Sequence, residues 1–290
     1  MSIDIEIKQK GFSKKTIPLE TIIGTKLSYG AFDGDHLEKG KLGNFDFIAY
    51  DPKHIGRGIC VEWTPQEKRK ISIRVPQPTA TEELRDLYDM VERIMTHWKA
   101  SLTVDGEKTK LSDFLANYSN TVDFNDRIIK KFSDDVLSGE YDTLTLYSAM
   151  FPLHISKEEA AVFSGDTYAY RLWLHEKQSV DAKYVGADFF MNDDGGIYAV
   201  YKFTKNTVQI FPKKPSVPFG LTDPCTGKAL ECNDWEIFFF NNENEEKPHA
   251  SMKYDEFLAR IEKLGAKKHT AELFIVPILT EDEYTALISE

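Results

Sequence analysis

The sequence predicts an α+β protein of antiparallel sheets flanked by helices, arranged as two packed lobes, on three observations. Ile3, Ile5 and Ile7 alternate with Asp4, Glu6 and Lys8, and Ile71, Ile73 and Val75 alternate with Ser72 and Arg74, the two-residue period of half-buried strands. Leu84, Leu87, Tyr88, Val91, Ile94, Met95 and Trp98 recur at helical spacing, the stripe of a helix that lays one face on a sheet. Turn pairs such as Asp105-Gly106 and Lys205-Asn206 separate short apolar runs, which marks hairpins.

Taken in order, the first strand leads to an apolar segment at residues 17–23 and a turn-rich stretch at 30–35. Phe45, Phe47 and Ala49 suggest a short strand that Asp51-Pro52 ends. Ile59, Val61 and Trp63 are expected to pair with residues 71–75 as a hairpin. Pro76 and Pro78 then stop the ladder by removing backbone donors. Thr79 and Glu82 have the spacing of a capping box for the helix that follows, and Asp89 and Arg93 that of an ion pair on its polar face, beside Asp86. Leu102 and Val104 precede a turn and a short helix carrying Phe114 and Leu115. Residues 126–137 repeat at helical spacing, residues 141–151 leave strand and helix open, and Ser156 with Glu159 caps another helical region. Residues 182–191, 196–203 and 207–211 read as three antiparallel strands. A strand at 235–240, a helix near 255–264, a strand at 272–278 and a helix capped by Thr280 and Glu283 close the chain. Lys110-Leu111-Ser112-Asp113-Phe114-Leu115-Ala116 and Lys253-Tyr254-Asp255-Glu256-Phe257-Leu258-Ala259 form a faint internal echo.

A chain of 290 residues suits two domains, expected at 1–120 and 121–290 unless the fold is continuous. Its 36 basic and 47 acidic residues give a formal charge of −11, which disfavours general binding to nucleic acid or an anionic membrane. No apolar run approaches the roughly 18 residues of a membrane span, and the alternating start is not a signal peptide. Three cysteines fit a reducing, cytoplasmic setting better than a disulfide framework.

Motifs that carry chemistry are sparse. Cys225 and Cys232 could supply half of a zinc site, but the six-residue gap is loose and two small thiols explain it as well. Asp193-Asp194-Gly195-Gly196 and Asp33 with Asp35 lack the spaced acids of a calcium loop. Gly56-Arg57-Gly58 lacks the preceding strand and following helix of a phosphate loop. No nucleophile elbow accompanies the seven histidines. The long connection at 212–235, with Pro212, Pro215, Pro218, Phe219 and Trp235, is the candidate binding surface, since loops of this length often cover a groove or partner.

Arg57-Gly58 before a strand, Arg74-Val75-Pro76 with Pro78-Thr79 opening a helix, and residues 178–184 form one part of a wider pattern. Val208-Gln209-Ile210-Phe211-Pro212, Trp235 opening a strand, and Leu279-Thr280 to Glu283 form the other. The whole resembles a bacterial family of unknown function, family forty-two ninety-nine. The resemblance spans nearly the whole length and implies a cytosolic bacterial protein without an assigned activity, catalytic residue or cofactor. The functional expectation is a non-catalytic binding or interaction module, with another protein as partner and no cofactor. The alternative is an enzyme acting on a small neutral or cationic substrate in an acidic interlobe cleft.

Overall fold

A computed structural model describes every residue except 13, 34–35, 193–195, 219–220, 224–226, 243–244 and 290. The fold is α+β. It divides into two compact units, the first Met1–Asp33 with Leu37–Val180, the second residues 34–36 with Asp181–Glu290.

In the first unit, β1 (Ser2–Gln9), β2 (Ser28–Asp33), β3 (His36–Lys39), β4 (Asp46–Tyr50), β5 (Ile59–Glu62), β6 (Lys70–Pro76), β7 (Ala100–Val104) and β8 (Glu107–Thr109) form one sheet. The order is β3-β2-β4-β5-β6-β1-β7-β8. The alternation read from sequence sets the register: Ile3 faces Val75, Ile5 faces Ile73 and Ile7 faces Ile71. These side chains are buried with those of α1 (Leu19–Ile23) and α2 (Thr81–His97). Of the stretch 30–35 expected as a turn, residues 30–33 are strand within β2, and residues 34–35 lie outside the described residues.

The helix α2 is present, but its polar contacts differ from expectation. Its N-cap is Ala80, with no side-chain cap. Thr79 and Glu82 are engaged elsewhere, Thr79 with Glu83 and Glu82 with Arg171. Arg93 reaches back to α1 instead of pairing with Asp89: its guanidinium donates to the carbonyls of Thr21 (3.2 Å) and Ile22 (2.8 Å), groups a helix end leaves without partners. Asp86, expected among solvated residues, is buried, and Lys26 Nζ bridges it (2.6 Å) to buried Asp51 (3.0 Å).

The rest of this unit is α3 (Leu111–Ala116), α4 (Tyr118–Ser138), the hairpin of β9 (Leu144–Leu146) and β10 (Leu153–Ile155), α5 (Lys157–Phe163) and α6 (Thr167–Gln178). Ser156 and Glu159 form the predicted capping box of α5. A division near residue 120 does not appear, because α4 and α6 hold the segment that opens α2. Asn125 exchanges two hydrogen bonds of 2.9 Å with the Thr79 backbone, and the Tyr170 hydroxyl donates to Pro78 O at 3.2 Å.

The second unit contains β11 (Lys183–Tyr184), β12 (Ala187–Met191), β13 (Ile197–Thr204), β14 (Gln209–Pro212), β15 (Asp234–Phe240) and β16 (Ala250–Lys253). There follow α7 (Tyr254–Ile261) with a 3₁₀ turn at Glu262–Leu264, β17 (Lys267–Thr270), β18 (Leu273–Val276) and α8 (Glu281–Ile288). Thr280 and Glu283 cap α8 as expected. The three-stranded antiparallel run does not form. β13 and β14 join separate four-stranded sheets, β12-β13-β15-β16 and β11-β14-β18-β17. The pairs β13–β15 and β11–β14 are parallel, so both sheets are mixed. The physical reason is aromatic packing: Phe203 of β13 and Phe211 of β14 meet with ring centroids 6.1 Å apart, and Phe257 of α7 lies 5.7 and 5.2 Å from them. The echo has a structural counterpart, since β7–β8 runs into α3 and β15–β16 into α7, each helix beginning at an uncapped Lys. The surroundings differ, with β7 antiparallel to β1 and β15 parallel to β13.

Two outcomes are expected. Phe257→Ala empties the middle of the second unit's aromatic core and should cost about 3–5 kcal/mol in denaturant unfolding. Burial holds the His154 imidazole down to about 4, against a smaller opposing pull from Glu159. The unfolded chain takes up its proton near 6.5 and the folded one only near 4, so stability should fall as pH drops through that window. The loss is at most about 3 kcal/mol, and urea melts at stepped pH should show His154→Gln without that component.

Candidate functional site

Because alternate residues of β1 and β6 point into the core, the intervening ones line the opposite face of the sheet. In register across β5, β6 and β1, Cys60, Arg74 and Asp4 form one row, and Glu62, Ser72 and Glu6 the next, continued by Asp46 on β4 and Thr103 on β7. A depression of about 500 Å³ lies over these rows. Arg74 pairs with Asp4, and Glu6 with Lys8 (2.7 Å) and Lys70 (3.7 Å). Asp46 and Glu62 stand directly opposite each other, and among the described residues neither has an ion-pair partner. Like charges in that position destabilise a sheet unless something neutralises them.

The electrostatics set what this face can do. Partial burial works against ionisation of Asp4, but hydrogen bonds from Arg74 and Ser2 outweigh it and hold the carboxyl below its ordinary range. The Lys8 hydrogen bond holds Glu6 low as well. Burial, aided by Asp46 and Glu62, pushes the Cys60 thiol up to about 11. At neutral pH this leaves weakly basic carboxylates and a protonated thiol, a set suited to charge recognition rather than proton transfer or nucleophilic attack.

Beneath the face, the loop before β5 is fixed by a buried anion. Glu83 of α2 is buried, and its carboxylate accepts from Gly58 N (2.7 Å), Arg57 N (3.0 Å) and the Thr79 hydroxyl. Consecutive amides aimed at one anion form a nest, here filled from within. A side chain at Gly56 would put its Cβ 2.7 Å from Glu83 Oε1, and Gly58 has φ +87° with no room beside Ile48. The Arg57 guanidinium donates to Tyr147 O (2.9 Å) and Gln77 O (3.1 Å). Gln178 donates to Gly56 O (2.7 Å), and His175 Nδ1 accepts from Ile55 N (3.2 Å). The Gly56-Arg57-Gly58 loop thus does bind an anion, one supplied by the chain itself.

The model of a family described as Domain of unknown function (DUF4299) matches residues 2–287. The chain belongs to this family. No curated protein and no solved structure matches it. In this DUF4299 member, the Arg57-Gly58 pair that carries part of the likeness is the nest just described.

The residues singled out in the second half lie in the second unit. Pro212 ends β14, and its carbonyl accepts from the Tyr254 hydroxyl at 2.6 Å. Pro215 and Pro218 are half-buried in irregular backbone, with Pro218 O accepting from Leu221 N at 3.2 Å. Trp235 on β15 packs beside Phe189 and Tyr201, ring centroids 5.9 and 6.0 Å away. Phe219 and Cys225 lie outside the described residues, as do residues 193–195 of the calcium-like turn. Cys232 donates to Asp234 O at 3.3 Å, and burial raises its pKa. Among the described residues no group of three or more His, Cys, Asp or Glu could hold a metal ion, and no helix is long and apolar enough to cross a membrane. Sequence reasoning missed Asp46, Glu62 and Glu83. The alternation around Val61 and Phe47 could have placed the first two on the outer face, while nothing local distinguishes Glu83 from Glu82.

Glu83→Ala strands two buried amides and should cost about 3–5 kcal/mol, against about 1–3 for Glu83→Gln, which keeps one acceptor. Burial raises the Glu83 pKa despite its hydrogen bonds from Thr79, Gly58 and Arg57. Above the ordinary carboxylate range the folded chain therefore holds a proton that the unfolded chain has released. This contribution to stability is full at low pH and is lost as pH rises through the raised value. Comparing unfolding free energies of the native chain and Glu83→Gln across pH should show that the glutamine variant lacks this loss.

Proposed function

We propose that this DUF4299 member is a non-catalytic binding module of the bacterial cytosol whose partner is another protein, engaged through the open face of the first sheet. The observation that carries the reading is the exposed Asp46–Glu62 pair, without an ion pair of its own among the described residues, beside the 500 Å³ depression. A partner presenting Lys or Arg there would neutralise two acids that the sheet holds together at a cost. The formal charge of −11 favours a basic partner in the same sense. The lowered carboxyls and the protonated Cys60 speak against acid–base or thiol catalysis on this face. A depression of this size also suits a small cation, which is the reading of an enzyme or receptor for a small substrate.

Affinity capture from a native bacterial lysate with the intact chain, Glu62→Lys, and a chain with residues 213–233 replaced by a short flexible linker separates these readings. The expected result is one stoichiometric partner, retained by the loop variant, released by Glu62→Lys and weakened by raised salt. Retention by Glu62→Lys with loss from the loop variant would move the interface to the proline-rich segment. If no protein is captured and a small cation raises the melting temperature instead, the protein-binding reading is overturned.

A further inference from the structure

The end of the first sheet where β1 stops gathers positive charge from three segments that are distant in sequence. Gln9 N donates to Arg69 O at 2.9 Å and Lys10 N to Lys99 O at 2.6 Å, so the close of β1 lies between the turn before β6 and the residue before β7. Lys10, Lys15, Lys68, Arg69 and Lys99 are exposed there, and among the described residues none of them has an ion-pair partner. Two acids of the same end are already engaged. Glu67 accepts from the amides of Lys68 (2.9 Å), Arg69 (2.6 Å) and Lys70 (3.1 Å), and Glu6 pairs with Lys8 and Lys70. The formal charge of −11 argues against general adhesion to anionic surfaces, and this end is a local reversal of that sign.

The loop after β1 adds an apolar element. Phe12 is 107% exposed, so its ring stands clear of the rest of the protein. The chain turns beside it at Gly11, where φ is +85°. Buried Gln9 pins the loop's return: its Nε2 donates to Lys15 O at 2.9 Å and its Oε1 accepts from Lys15 N at 2.8 Å. The Lys14 ammonium donates to Gln9 O. A single exposed ring is ordinary on its own. Here it projects from a pinned loop with lysines on both sides and the cations of two further segments next to it.

We propose that this end of the sheet docks the protein on an anionic lipid bilayer. Phe12 enters the boundary between headgroups and acyl chains, while the Lys and Arg side chains meet the acidic headgroups. Each element is weak alone, and stable attachment to a bilayer takes both an apolar insertion and a basic patch. No helix has to cross the membrane for this. A single-stranded nucleic acid fits less well, because it stacks on a platform of successive rings and Phe12 is one projecting ring. The Asp46–Glu62 pair plays no part in this contact.

The test is co-sedimentation of the full chain with vesicles of phosphatidylcholine alone and of phosphatidylcholine with about 30% phosphatidylglycerol. The chain should sediment with the anionic vesicles, stay in solution with the neutral ones, and be released by raised salt. Phe12→Ser removes a ring that nothing covers, so it should melt like the native chain and bind the anionic vesicles about tenfold more weakly. Lys10→Glu combined with Lys15→Glu should weaken binding at least about tenfold, since Gln9 uses only the Lys15 backbone. Glu62→Lys should bind these vesicles at least as well as the native chain, which keeps this result separate from capture of a protein partner. In Phe12→Trp, the emission of the added indole should move to shorter wavelength with anionic vesicles only. No sedimentation with the anionic vesicles, equal binding to neutral ones, undiminished binding by Phe12→Ser, or tighter binding of a short single-stranded DNA would overturn the proposal.

Discussion

The Glu83 carboxylate, held by the amides of Arg57 and Gly58, is the interaction on which the first unit depends. A buried charge is tolerable only when its lone pairs are met, and here backbone dipoles and a hydroxyl meet them without a direct guanidinium partner. Because the donors immediately precede β5 and the acceptor lies in the first turn of α2, one group fixes where the strand starts relative to the helix. The bonds from Gln178 and His175 reach the same loop from α6. Strand, core helix and the later helices thus share a single anchor, which is why residues 118–178 fold with the N-terminal sheet.

Where periodic burial alone decides a structure, the residues announce it. Ile3, Ile5, Ile7, Ile71, Ile73 and Val75 lie where alternation puts them, and the α2 stripe from Leu84 to Trp98 packs as written. The boxes at Ser156 and Thr280 form because both partners are local and nothing competes for them. Thr79 and Glu82 have the same spacing and form none, since Glu83 and Arg171 make longer-range claims on them. Arg93 and Asp86 fail as surface residues for the same reason. Their partners, α1 carbonyls and Lys26, are brought by the fold and stand at no helical interval.

The second unit shows the limit more sharply. β13 and β14 look like neighbours because a short turn joins them, yet Phe203 and Phe211 serve one aromatic core from two sheets. Alternation says which face a residue takes but not which strand lies beside it. The candidate site was hidden on the same ground. Asp46 and Glu62 are ordinary outward acids in the sequence, and only the order β4-β5 makes them opponents.

The position of β1 has a consequence for the order in which the chain can assemble. It sits between β6 and β7, so the first strand to be synthesised has both its neighbours roughly seventy to one hundred residues downstream. Ile3, Ile5 and Ile7 therefore wait, unpaired and apolar, through the synthesis of five other strands and α2. The earliest part of the unit to be made is among the last to be enclosed.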